Sequence, residues 1–411
     1  MNKVIVTREV SRTTRQRLAW LDALRGIAAL AVVFEHALKP LLSEARSPIK
    51  AIFEPGSYGV MLFFLVSGYI VPASLEHRGS LRAFWVSRVF RLYPLFGVGA
   101  VGMVGLVALG WDAPHIWWST RQASLVLGHL TMLQNLLCMP NLINVLWTLS
   151  YEMAFYLLLT ALFTFGMNRA STTIALGFTS LSMLGASILP VGLLSVGGSG
   201  RMLTVALLVT ALVAVGLISV LVGSGTVRRA GAVVVGVTVL ALLAVNQSYP
   251  GPWQGMLIMA TMFSGTVLNR VDRGEISWKR AGWAAVVPLA GIWLARDEFG
   301  FQVAIAAAWI TFGLGMALRN RRMPRVLVWL GLVSYSIYIL HPLLLETVEW
   351  FWPEPSAVPL SLRLLALVLV IGLLLGLSML TWRLVEAPSQ QLGKRLVSTR
   401  SWIRKDCSEI V

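Results

Sequence analysis

Long apolar runs recur from one end of the chain to the other, each closed by a turn signal or a short basic cluster. A helix needs about 20 such residues to cross the hydrocarbon of a bilayer. Twelve stretches approach that length: 18–42, 56–76, 92–110, 146–166, 172–193, 202–222, 230–245, 253–269, 282–295, 300–318, 327–347 and 362–386. The stretch 282–295 is short enough to be re-entrant or interfacial, and 230–245 is marginal. Losing one adjacent pair keeps the alternation of sides, so the pattern predicts an all-α, polytopic transmembrane bundle of 10–12 spans. Residues 1–17 read as a basic tail, 18–388 as the transmembrane domain and 389–411 as a second tail too short for a catalytic domain. No internal repeat or low-complexity linker interrupts the pattern, so any chemistry has to sit in the membrane domain.

Composition agrees: of 411 residues, 57% are hydrophobic and 13% charged, where soluble domains carry roughly a quarter charged. The net charge of +16 raises nucleic acid as a partner, and the distribution argues against it. Lys and Arg fall in clusters between apolar segments, as in Arg78 to Arg91, Arg228 with Arg229, Arg270 to Arg280, Arg319 to Arg325 and Lys394 to Lys405. These clusters occupy alternate loops, which the positive-inside rule reads as both termini being cytosolic, with the lipid bilayer as partner. The basic start runs directly into a segment holding Asp22 and Arg25 with no small-residue cleavage site, so no removable signal peptide is expected. Cys138 is expected in an outer loop and Cys407 in the inner tail, where they cannot pair. No CxxC motif or Cys/His cluster points to a metal.

Charge inside a span is expensive and marks function by default. Asp22, Arg25, Glu35 and His36 all lie in the first apolar stretch. On a helix, Arg25 and His36 are about 20° apart in azimuth and roughly 16 Å apart in depth. Asp22 sits one turn below Arg25, placed for an i,i+3 ion pair, while Glu35 points about 80° away toward a different neighbour. The result is one polar stripe with a guanidinium low and an imidazole high, lining a water-accessible path. A helix fixed to its neighbours by buried polar contacts would show the same residues.

LDALRGIAALAVVFEHAL (21–38) resembles the opening motif of the acyltransferase-3 family of bacterial membrane O-acyltransferases, whose Arg, ten residues, His spacing falls on Arg25 and His36. FFLVSGYIV (63–71), SRVFRLYPL (87–95) with Arg88 and Arg91, LWTLSYEMAFY (146–156), YSIYILHPL (335–343) and RLVEAP (383–388) follow in the family's order. Thr148 stands where the family more usually has Ser, and residues 170–320 match only by being hydrophobic. The resemblance implies a multi-pass enzyme of the bacterial inner (plasma) membrane. It would move an acetyl or other short acyl group from acyl-CoA to a hydroxyl of a polysaccharide, lipopolysaccharide or other glycosylated acceptor.

Set on the predicted spans, the residues suggest how. Arg88 and Arg91, one turn apart, present guanidinium forks that suit the phosphates of coenzyme A. Arg78 and Arg82 widen the patch, and Arg25 continues the cationic path inward. His36, Glu152 and His341 come from three distant segments and fall at nearly one depth. His36 is the candidate general base, since imidazole titrates near neutral pH. Glu152 is the candidate carboxylate orienting its ring, or a structural acid bonded to Trp147. Glu35, Asp22, Trp147, Ser150, Tyr335, Tyr338 and His341 are weaker candidates for the substrate cavity, and His341 before Pro342 would equally suit a helix kink. Ser67 and Gly68 suit close helix packing, and His77, His115 and His129 receive no role. A transporter or flippase of a lipid-linked solute, or a scaffold without turnover, would also use intramembrane charges.

Overall fold

In hydrocarbon every backbone donor and acceptor must be satisfied within its own segment, which Leu-, Ala-, Val- and Met-rich runs achieve as helices. A computed structural model describes residues 2–111, 122–184, 189–195, 197–247, 251–279, 282–283, 287, 289–290 and 298–406. Helix dominates the described residues, which hold no strand beyond one isolated bridge between Val191 and Gln247. The helices are α1 (Asn2–Leu41), α2 (Ser43–Ile52), α3 (Pro55–Arg78), α4 (Leu81–Ala108), α5 (Gln122–Thr131), α6 (Trp147–Thr164), α7 (Ser171–Leu184) and α8 (Ser199–Val222). There follow α9 (Gly225–Val245), α10 (Pro252–Asp272), α11 (Phe299–Ala317), α12 (Arg325–Leu332), α13 (Ser334–Phe351), α14 (Leu360–Thr381) and α15 (Ala387–Asp406).

Packing divides the chain into two units, neither continuous in sequence: Met1–Val66 with Ile292–Trp382, and Ser67–Gly291 with Arg383–Val411. In the first, α1 packs along α12 and α13, and α13 against α14. Its core joins Ala29 and Val33 to Leu330, Val333, Ile337 and Leu374. In the second, α10 lies along α7, α9 along α8 and α6, and α15 along α4. Phe155 and Phe178 close on Phe263 there, with ring centroids 5.1 and 5.8 Å away.

Among the described residues seven helices are long and apolar enough to cross a membrane, and a bent pair, α12 with α13, could make an eighth. The expectation of ten to twelve such spans is therefore not met among the described residues, for identifiable reasons. α1 carries Asp22, Arg25 and Glu35 along its apolar stretch, α7 has only 14 residues, and α10 ends in Asn269, Arg270 and Asp272. The segment 282–295 lies mostly outside the described residues, as do His115 and Cys407. The stretch expected as one span at 327–347 is broken at Val333 with a 68° bend, where the Ser334 hydroxyl donates to the Gly331 carbonyl at 2.8 Å. The marginal 230–245 is a full 21-residue helix beginning at Gly225, so Arg228 and Arg229 lie on it. α4 begins at Leu81, capped by the Ser80 hydroxyl on the Ala83 amide, and therefore carries Arg88 and Arg91 within the helix.

Two glycine contacts set the helix spacing. A methyl group at Gly331 on α12 would run into the Asp22 carbonyl of α1, and one at Gly68 on α3 into the Met262 carbonyl of α10. Gly68 thus packs as its sequence context suggested. Gly331→Ala should force α12 off α1 and destabilise the fold by about 1–3 kcal/mol. Gly313→Ala, which meets open space, should not. Thermal unfolding in detergent compares the two, and equal midpoints would contradict the close approach.

Candidate active site

The first unit brings much of the predicted polar stripe into real contacts. Arg25 Nη1 lies 3.7 Å from Asp22 Oδ1, the expected i,i+3 pair. Both remain half-buried, as does His36 three turns higher on α1. The His36 ring meets His341 of α13 edge-on, with centroids 5.0 Å apart at 86°. Tyr338, one turn before His341, lies 5.8 Å from that ring and, on its other side, 5.8 Å from Phe63. His36, Tyr338 and His341 therefore converge, while Tyr335 is a half-buried residue further down the same helix. His341 is fully buried, with Nδ1 3.1 Å from the Ile337 carbonyl.

Glu35 turns to a different neighbour, as its azimuth implied. Its Oε2 accepts from the Gly56 amide at 2.6 Å and its Oε1 faces Lys50 Nζ at 3.3 Å. A carboxylate on the second amide of a helix satisfies an orphan donor and the positive end of the helix dipole. Glu35 thus caps α3 from another helix. It joins Asp22 as a residue whose visible work is to fix α1, although both had been candidates for a substrate cavity. Two further ion pairs were not legible in the sequence: Lys39 with Glu349 at 2.9 Å, and Arg363 with Glu44 at 2.9 Å.

In the second unit Arg88 is turned inward, not spread on an open face beside Arg91. Only 7% exposed, its guanidinium lies 5.5 Å over the Phe84 ring and 5.4 Å over the Tyr156 ring. Nη1 also reaches the Tyr156 hydroxyl at 3.5 Å. That hydroxyl donates a short hydrogen bond to Glu152 Oε1, which the Ser67 hydroxyl also approaches at 3.5 Å. Ser67, Glu152, Tyr156 and Arg88 form one chain of polar contacts. Tyr156 was missed, although its i+4 spacing from Glu152 puts both on one face of α6. Arg91 is half-buried and Arg82 exposed, while Arg78 Nη1 donates to the Ala83 carbonyl at 3.3 Å.

The remaining candidates around α6 support the backbone. The Ser150 hydroxyl is fully buried and accepts from the Asn135 amide at 3.2 Å, so it is placed as a loop anchor. Thr148 bonds the Val145 carbonyl at 3.0 Å, and Trp147 packs against Tyr151 at 6.1 Å. A layer of buried amides around the preceding loop escaped the sequence reading: Asn246 bridges the Leu136 carbonyl to the Leu194 amide, and Gln247 accepts from the Tyr151 hydroxyl. His129 belongs to this layer, its Nδ1 2.8 Å from the Leu125 carbonyl and its Nε2 accepting from the Leu142 amide at 3.0 Å. On the opposite flank Arg270 bridges Glu76 and Glu275, with Arg273 also on Glu76 at 3.1 Å. Among the described residues no group of three or more His, Cys, Asp or Glu side chains could hold a metal.

A family profile described as an acyltransferase domain matches residues 18–383, nearly the whole chain. The chain belongs to the acyltransferase-3 family. No curated protein and no solved structure matches it. Membership together with the apolar helices makes this a multi-pass membrane acyltransferase. It leaves the transporter reading without support. The motif residues Arg25, His36, Arg88, Arg91, Glu152 and His341 all lie inside the matched region.

Burial pushes the His129 imidazole below its ordinary range, partly opposed by its bond to the Leu125 carbonyl. With the folded value below the unfolded one, this group's stabilising contribution is complete above the unfolded value and is lost as pH falls toward the folded one. Acidification from about pH 7 to pH 5 should therefore loosen the loop around Gln134–Leu137. His129→Gln should flatten that dependence, and limited proteolysis across the pH series reads it. An unchanged slope in the variant would show that another group titrates.

Proposed function

We propose that this acyltransferase moves an acyl group, acetyl in the first instance, from acyl-CoA to a hydroxyl of a carbohydrate or glycosylated acceptor, with His36 as general base. The observation that carries this reading is the His36 ring, half-buried on the polar face of α1 and set against the fully buried ring of His341. His36 takes the hydroxyl proton as the oxygen bonds to the thioester carbonyl carbon. The carbon–sulfur bond then breaks, and the departing thiolate collects the proton from the imidazolium. Arg25, Arg88 and Arg91 supply cations for the anionic donor, with Arg88 held by Phe84 and Tyr156. The tails 1–17 and 389–411 face the cytosol of a bacterial inner membrane, a placement supported by Lys and Arg on alternate loops and by the cytosolic origin of acyl-CoA.

Glu152 was the candidate for orienting the His36 ring. Its Oε1 is taken up by Tyr156 and Ser67, which supports an action through Tyr156 on Arg88.

Purified protein with labelled acetyl-CoA tests the scheme. His36→Gln should lower turnover by about 10²-fold or more while eluting as folded protein, and normal turnover in that variant would sink it. Glu152→Gln and Tyr156→Phe should each raise the donor KM about tenfold, the worth of one polar contact to a charged group, with a smaller effect on kcat. A collapse of kcat at constant KM would instead return Glu152 to the proton path.

A further inference from the structure

His129 has both ring nitrogens occupied, by the Leu125 carbonyl and the Leu142 amide. His341 differs. Its Nδ1 lies 3.1 Å from the Ile337 carbonyl oxygen, and a carbonyl only accepts, so Nδ1 carries the hydrogen. In the neutral ring Nε2 is then a bare lone pair. That atom is buried and has no hydrogen-bond partner. Leaving a buried acceptor unmet costs about 1–3 kcal/mol, a cost the fold carries beside a second imidazole ring.

That ring is His36, 5.0 Å away between centroids. We infer that His341 is the positioning residue of the His36 base, its Nε2 accepting the N–H of the His36 ring and thereby fixing which His36 nitrogen stays bare toward the acceptor hydroxyl. The inference rests on the acyl-transfer reading for its purpose and on geometry for its content. A centroid separation of 5.0 Å is the span of an imidazole N–H···N bond of ordinary length, about 2.9 Å between nitrogens. Making it requires the half-buried His36 ring to turn about its Cβ–Cγ bond until an N–H points at Nε2. Substrate cannot take the place of His36 here, because His341 is wholly enclosed. When His36 gains the hydroxyl proton, its other N–H is the group that His341 steadies. The pair does for an imidazole what a carboxylate does in a hydrolase triad, with a neutral acceptor in place of an anion.

The test separates tautomer from turnover. The chain has 5 histidines, so full-length protein labelled with 15N-histidine in detergent can be assigned by substituting the others singly. In the native protein His341 should be the Nδ1–H form and His36 a single tautomer. His341→Asn keeps a donor for the Ile337 carbonyl and leaves no acceptor at the position of Nε2. It should turn His36 into a tautomer mixture and lower kcat about 100-fold, with the acetyl-CoA KM within about twofold. His341→Gln, whose amide oxygen reaches the position of Nε2, should recover at least about tenfold of that loss. An Nε2–H form of His341 in the native spectrum overturns the inference even if neither variant folds, and so does a His36 tautomer that His341→Asn leaves unmoved. Native protein lacking turnover would refute the acyl-transfer reading alone, since the tautomer spectra decide the pair without it.

Discussion

Helix α1 can lie in an apolar bundle only because its polar side chains are met. Asp22 holds Arg25, Lys50 and the Gly56 amide hold Glu35, and His341 faces His36. Remove any of these partners and a charge or bare dipole is left where water is scarce, at a cost of several kcal/mol. The helix spacing follows from the same requirement. Gly331 lets α12 lie directly on the Asp22 backbone, so α1 is gripped both by polar contacts and by close backbone approach. A stripe fixed this firmly presents its imidazole at one depth and one azimuth, as the proposed role of His36 would require.

The second unit solves the same problem with aromatic rings. Arg88 is nearly buried without a carboxylate in direct contact among its described partners; two ring faces and one phenol hydroxyl surround it, and the carboxylate of Glu152 stands one bond further off. Guanidinium is planar, weakly hydrated and stacks on ring faces, so the two rings hold it in place. A direct Arg–carboxylate pair would have neutralised it.

The helices were legible because their signal is additive over about 20 residues, and so was the Arg25–Asp22 pair, which local geometry dictates. Contacts between segments far apart in sequence were not. Nothing in the sequence says that Glu35 reaches Gly56, or that Tyr156 lies between Glu152 and Arg88, since each depends on how helices pack. Hydropathy also misplaced boundaries where helix and apolarity part company. α4 starts well before its apolar run, with Arg82, Arg88 and Arg91 aboard, and the apolar stretch 327–347 hides a bend that a serine hydroxyl makes tolerable. Among the site candidates the motifs named both His36 and His341, whose rings the fold sets against each other. Ser150 was not separable from them until its bond to Asn135 was seen.

If His36 is the base proposed above, a neutral histidine as its partner suits this setting better than an acid would. An ionised carboxylate enclosed as His341 is would face a desolvation penalty that a single imidazole could offset only while protonated. A neutral acceptor carries no such penalty at rest and stabilises the imidazolium less. That weaker stabilisation would be acceptable for the proposed thioester donor, whose leaving thiolate is a far weaker base than the amine a protease expels, so the proton need not be held long or tightly. The stabilising work is then carried by position, through the Ile337 carbonyl that fixes one ring and the α1–α12 contact that fixes the helix bearing the other.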